Sequence, residues 1–137
     1  KAQRQVFKNR RTIQINENTK SPAFWNEVPE FNHNEMVGYT QNHQGLIAVF
    51  FTYENDLART QTRIQQSIKT LQAYGVDTLA VAIRPAQDIL TSLFATLYLF
   101  DEVSCALAIR AGIDPNPVNM VEDFKASLGA FESKNHA

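Results

Sequence analysis

A single cysteine, Cys105, occurs in the 137 residues. The chain therefore closes no disulfide within itself, and the apolar neighbours of Cys105 suit a small buried hydrophobe in a reducing compartment. Net charge is equally scarce: 13 Lys and Arg stand against 14 Asp and Glu, which leaves −1 at pH 7. A field that weak gathers neither nucleic acid nor an anionic membrane. No uninterrupted apolar run approaches the roughly 18 residues of a membrane-spanning helix, and the polar opening KAQRQ holds no signal-peptide core. The three histidines and scattered carboxylates form no plausible metal-ligand set, and nothing calls for a cofactor. These absences predict a soluble, cytoplasmic protein with no nucleic-acid or membrane partner.

What is present is enough apolar residue, 44%, for one ordinary domain core. The stretch 16–35, NENTKSPAFWNEVPEFNHNE, concentrates amides, carboxylates and a histidine, and its apolar residues follow no period. Pro22 and Pro29 prevent one continuous helix there, since each removes a backbone donor and restricts the residue before it. Glu17 and His33 are thus expected on different elements, a carboxylate and an imidazole being the usual instruments of proton transfer between carbon and oxygen. A solvated polar loop is the plain alternative. The basic cluster Lys8, Arg10 and Arg11 is open to the same two readings, a grip on a phosphorylated substrate or a solvated helix face.

In chain order, the residues up to about 15 mix strand-like alternation (Thr12, Ile13, Gln14, Ile15) with helix-like composition. The stretch 35–40 suits the first turns of a short helix. LIAVFFT (46–52) and TLAVAI (78–83) have the continuous apolar character of strands buried on both faces of a parallel sheet. Between them 58–74 is amphipathic, with Ile64, Ile68 and Leu71 at helical spacing and Gly75 as a stop, so a βαβ unit is predicted. A helical tract from Pro85 to about Ala111 carries Ile89, Leu93, Leu97 and Phe100 on one stripe. Its length predicts a break at 100–102, with Asp101 capping a second helix. Gly112 and the turn residues 114–117 then lead to a last helix over 118–131.

NENTKSPAF followed by VPEFNHNEMVG resembles the signature of the bifunctional phosphoglucose/phosphomannose isomerases, a branch of the sugar-isomerase (SIS) fold family. Asp101, Ser104, Leu107 and Ala108, then Gly112, Asp114, Pro115, Pro117 and Val118, resemble a later run of the same family. The resemblance implies an α/β fold, a three-layer α/β/α sandwich on a five-stranded parallel sheet. Two strands and a start at Lys1 without Met then imply that 1–137 is a C-terminal SIS half whose N-terminal SIS half is missing. It also implies a helix leading into NEN, with Arg10 and Gln14 at the family's Arg and Gln positions.

For function, the resemblance implies conversion of glucose 6-phosphate or mannose 6-phosphate to fructose 6-phosphate through an enediol. Glu17 is the expected base. His33 is the expected ring-opening group, reaching a neighbouring subunit's site and so implying a homodimer. Asn32, Asn34 and Glu35 would fix its tautomer and ring orientation. Arg10, Arg110 and Lys125 are the substrate-binding candidates; His43 and His136 are expected in solvent, and Phe24 and Trp25 as anchors of the loop. Glu102, Cys105 and Ala106 stand where the family commonly has aromatic residues, and no Ser/Thr-rich glycine turn for the phosphate occurs. The isolated chain should therefore turn over little, and a non-catalytic SIS module that binds or senses a sugar phosphate is the alternative.

Overall fold

The computed structural model describes residues 12–41, 43–84 and 88–129. Lys8, Arg10, Arg11, Pro85, Phe131 and His136, each singled out in the sequence, lie outside the described residues. Helix α1 is described over 12–19, which settles the ambiguous opening in favour of helix there. Pro29 opens the short helix α2 (Val28–Glu30), and the chain continues without a gap into a π-helical turn, Phe31–Glu35, and a 3-10 turn, Met36–Thr40.

Strand β1 (Ile47–Tyr53), helix α3 (Ala58–Ala73) and strand β2 (Asp77–Ile83) form the expected βαβ unit, with the strands parallel and Ile47 opposite Asp77 through to Tyr53 opposite Ile83. Side chains alternate across a strand, so Ala48 and Phe50 share one face. They pack with Ile64 and Leu71 of α3, Val76 and Phe31 into the buried core. Phe31 meets Phe50 edge-on at 5.9 Å, which fastens the π-helical turn to the sheet. His43 is half-buried rather than solvated. Its Nδ1 is buried without a hydrogen-bond partner, and its Nε2 lies 3.6 Å from where a Cβ on Gly75 would stand.

The opposite face corrects the expectation of strands buried on both sides. Phe51 meets Phe100 at 5.1 Å, yet Ile47, Val49 and Leu79 remain 58%, 40% and 49% exposed. A run that is apolar at every position needs a cover on both faces. Among the described residues α3 covers one face, and on the other a contact is made at Phe51.

That contact comes from α4 (Ile89–Arg110), which runs 22 residues without the predicted break. Asp88 caps it: Oδ1 accepts from the Thr91 amide at 2.9 Å and Oδ2 from the Thr91 hydroxyl at 2.7 Å, bonds that hold the Asp88 carboxyl below its usual pKa. The helix thus begins at Ile89 instead of Pro85. It continues through 100–102 because no Gly or Pro stands between 89 and 110, and Asp101 is engaged elsewhere. Gly112, at φ 70°, ends the helix by letting the Ile113 amide reach back to the Ala108 carbonyl at 2.9 Å. Helix α5 (Asn119–Ser127) is shorter than the predicted 118–131.

Over Leu90–Arg110, α4 has a mean hydropathy of 1.5 and is long and apolar enough to cross a membrane by length and composition, contrary to the count of uninterrupted apolar residues. Such a count breaks at every Ser and Thr, whereas an average does not. Ser104 and Thr96 are buried and Asp101 half-buried on the inward stripe with Leu93, Leu97, Phe100 and Ala108. The hydroxyls of that stripe are bonded within the helix, Thr96 to the Ser92 carbonyl at 2.7 Å and Ser104 to the Asp101 carbonyl at 2.9 Å, while 17% of the apolar window is buried. The other face of α4 exposes Leu90, Phe94, Tyr98 and Ile109.

Candidate active site

Consecutive residues on a helix are turned by about 100° from one another, so the neighbours of Glu17 flank it on two sides. Both are anchored. Asn16 engages the backbone of Ala23 twice, accepting from its amide at 2.5 Å and donating to its carbonyl at 3.5 Å. Asn18 donates to Ser104 Oγ at 2.8 Å, within reach of Cys105 Sγ at 3.7 Å. One turn earlier Gln14 donates to the Asp101 carboxylate. The two amides lock the last turn of α1 against its own following loop and against α4, while Glu17 stays exposed between them. The distant motifs NEN and D-x-x-S are therefore one structural unit, and Cys105 is half-buried beside it.

The end of α1 is finished by side chains. Thr19 Oγ1 donates to the Ile15 carbonyl at 2.7 Å, and Lys20 Nζ donates to the Glu17 carbonyl at 2.5 Å and to the Pro115 carbonyl at 3.1 Å. Helices leave their last carbonyls without partners, and two residues of the motif, Thr19 and Lys20, supply donors at this end.

The second motif repeats the arrangement around His33. Asn32 donates to Ser67 Oγ of α3 at 2.6 Å, and the Ser67 hydroxyl in turn donates to the Arg63 carbonyl at 2.8 Å. Asn34 donates to Glu30 Oε1 at 3.0 Å, and Glu35 Oε1 accepts from Asn26 at 2.6 Å. This corrects the expected role of Asn32, Asn34 and Glu35. These bonds go to the side chains of Ser67, Glu30 and Asn26, and among the described residues none goes to the His33 imidazole, which is exposed. The π-helical turn supplies the geometry: its i→i+5 bond from the Met36 amide to the Phe31 carbonyl fits an extra residue into one turn. Phe31 is thereby buried with His33 outside. Burial first, and the Glu35 carboxylate second, push the Tyr39 phenol above its usual pKa.

Sequence reasoning missed Ser67, whose buried hydroxyl is 2% exposed and holds Asn32. Asn32→Ala would leave that hydroxyl without its donor. The expected cost is about 1 kcal/mol, read as a lowered denaturant midpoint with an unchanged m-value.

The other candidates make no hydrogen bond to Glu17 or His33 among the described residues. No hydrogen bond or ion pair joins Glu17 to His33 within the chain. Arg110 is exposed in the last turn of α4, and Lys125 pairs on α5 with Glu122 at 2.7 Å on an exposed surface. Trp25 is half-buried, as an anchor would be, but Phe24 is 85% exposed and anchors nothing. Among the described residues no group of three His, Cys, Asp or Glu side chains is placed to hold a metal.

Residues 2–128 match the family described as the bacterial phospho-glucose isomerase C-terminal SIS domain. The chain is 33% identical to a bifunctional phosphoglucose/phosphomannose isomerase of Aquifex aeolicus, over 90% of this chain and 38% of that protein. Identity is 31% to a protein of the same name from Caldicellulosiruptor bescii, over 87% of this chain and 36% of that one. A third, from Thermoplasma volcanium, is 28% identical over 84% and 36%. The chain spans a little over a third of the length of these relatives. No solved structure matches it.

Proposed function

The chain belongs to the family of bacterial phospho-glucose isomerase C-terminal SIS domains, an isomerase family, and from that premise we propose that it is the C-terminal half of an aldose-ketose isomerase acting on hexose 6-phosphates. The observation that carries this reading is the free carboxylate of Glu17, held exposed on a helix end whose two neighbouring amides are both anchored. A base that moves a proton between adjacent carbons needs that combination of freedom at the tip and fixity at the root.

Glu17 removes the proton from C2 of the open-chain aldose as the C1 carbonyl accepts the electron pair. The resulting enediolate passes the proton of its C2 hydroxyl to the C1 oxygen, and Glu17 returns its own proton to C1, which leaves the ketose carbonyl at C2 and a hydroxyl at C1. Glucose 6-phosphate and mannose 6-phosphate differ only at C2, so both give the same enediol and the same product, fructose 6-phosphate. His33 moves the proton at the ring oxygen that opens the sugar before this step, and it does so in the site of a second subunit of a cytoplasmic homodimer. The phosphate grip comes from the N-terminal SIS half, which also covers the apolar sheet face at Ile47, Val49 and Leu79. Arg10, Arg110 and Lys125 remain candidates for substrate contacts in that assembly.

The test is expression of the complete coding sequence followed by measurement of fructose 6-phosphate formed from each aldose. Turnover of either supports the isomerase. No product from either, in a protein that still binds a hexose 6-phosphate, would replace it by a sugar-phosphate sensor.

A further inference from the structure

Lys20 has a positive φ of 55°, the left-handed region that glycine tolerates and a side chain with a Cβ enters at a cost. Gly45, Gly75, Gly112 and Gly129 all have positive φ; among the described residues Lys20 is the position that does so without being glycine. It is the first residue past α1, where helices often use a left-handed residue and usually choose glycine for it. The backbone alone would be better served by glycine, so the side chain needs a reason.

The ammonium supplies one. It donates to the carbonyl of Glu17 itself and to that of Pro115, 95 positions later in the chain. Pro115 lies in the turn after α4, where the Asp114 carboxylate accepts from the Asn116 amide at 2.9 Å and fixes the loop. The cation also sits at the negative end of α1, where a positive charge is favourable. Asn18 already ties one side of this last turn to α4, and Lys20 ties its end to the segment following α4. Two of the three ammonium protons are spent on carbonyls, which suits a brace rather than a proton donor.

We propose that Lys20 is a positioning residue for Glu17: its ammonium braces the Glu17 backbone against the Asp114–Pro117 turn, and the left-handed backbone is retained to keep it there. The proposal rests on the isomerase reading of Glu17 and adds a residue to it.

Lys20→Gly in the complete protein separates the side chain from the backbone conformation, because glycine keeps or eases the φ while removing the ammonium. The expected result is a kcat lowered about 10- to 100-fold, the scale on which small misplacements of a catalytic group act. KM for the hexose 6-phosphate should stay near the wild-type value, and so should the thermal midpoint. Lys20→Arg, which keeps a cation and several donors, should recover part of the lost kcat. Amide hydrogen exchange should quicken at the end of α1 and leave β1 unchanged. Wild-type kcat in Lys20→Gly would overturn the proposal, as would a fall in kcat matched by a fall in the thermal midpoint. If the wild-type protein itself has no isomerase activity, the isomerase reading is what fails, and the brace loses its catalytic meaning with it.

Discussion

Glu17→Gln in the complete protein should lower kcat for both glucose 6-phosphate and mannose 6-phosphate by roughly 10²- to 10⁴-fold, the usual contribution of a positioned general base. The substitution is nearly isosteric, and Glu17 is exposed without a side-chain partner among the described residues. No buried contact is lost, so the thermal midpoint should hold. KM should also change little, because a carboxylate that acts on C2 and C1 contributes chiefly in the transition state. Exchange of the C2 proton with solvent deuterium is the companion measurement. Exchange per turnover should change, because the residual proton transfer no longer passes through Glu17, whereas a Glu17 that only shaped the pocket would leave exchange per turnover unaltered. A Glu17→Gln protein with wild-type kcat on both sugars would remove the assignment.

The βαβ unit could be read directly because strand and helix periods are local properties: LIAVFFT and TLAVAI are strands, and Ile64, Ile68 and Leu71 lie on one helix between them. The absence of a break in α4 was harder to see. Helix length is a statistical expectation, while the physical requirement for a break is a residue that spoils the backbone ladder, and 89–110 contains no Gly or Pro. Asp101 invited reading as a cap because aspartate often is one. Its partner is Gln14, 87 positions away, and no local rule anticipates that.

The candidate site divides in the same way. Glu17 and His33 could be named from their motifs, but the work of the residues around them could not. Asn18, Asn16 and Asn32 reach Ser104, Ala23 and Ser67, at separations of 86, 7 and 35 residues. Lys20 escaped notice for a further reason: its left-handed backbone is invisible in a sequence, where only glycine advertises a positive φ. The two motifs share one plan, an exposed ionisable side chain between two tethered asparagines. That plan became apparent once the partners of the amides were known.

The free state of His33 leads to the last expected result. It is exposed on a turn secured from beneath by Phe31 and from both sides by Asn32 and Asn34, so its direction is set although its imidazole bonds nothing among the described residues. Its own Glu17 is not hydrogen-bonded or ion-paired to it. A rigid support without a local target fits a group aimed outward, at the site of a second subunit. Glu17→Gln and His33→Ala forms of the complete protein should each be nearly inactive, and mixing them under conditions of subunit exchange should restore turnover. In a two-fold dimer mixed at random, half the molecules are heterodimers and each has one of two sites intact, so about a quarter of wild-type activity is expected. Exchange proven by mass spectrometry without any recovery would show that His33 serves the site of its own chain, and the dimer would then be no part of the catalyst.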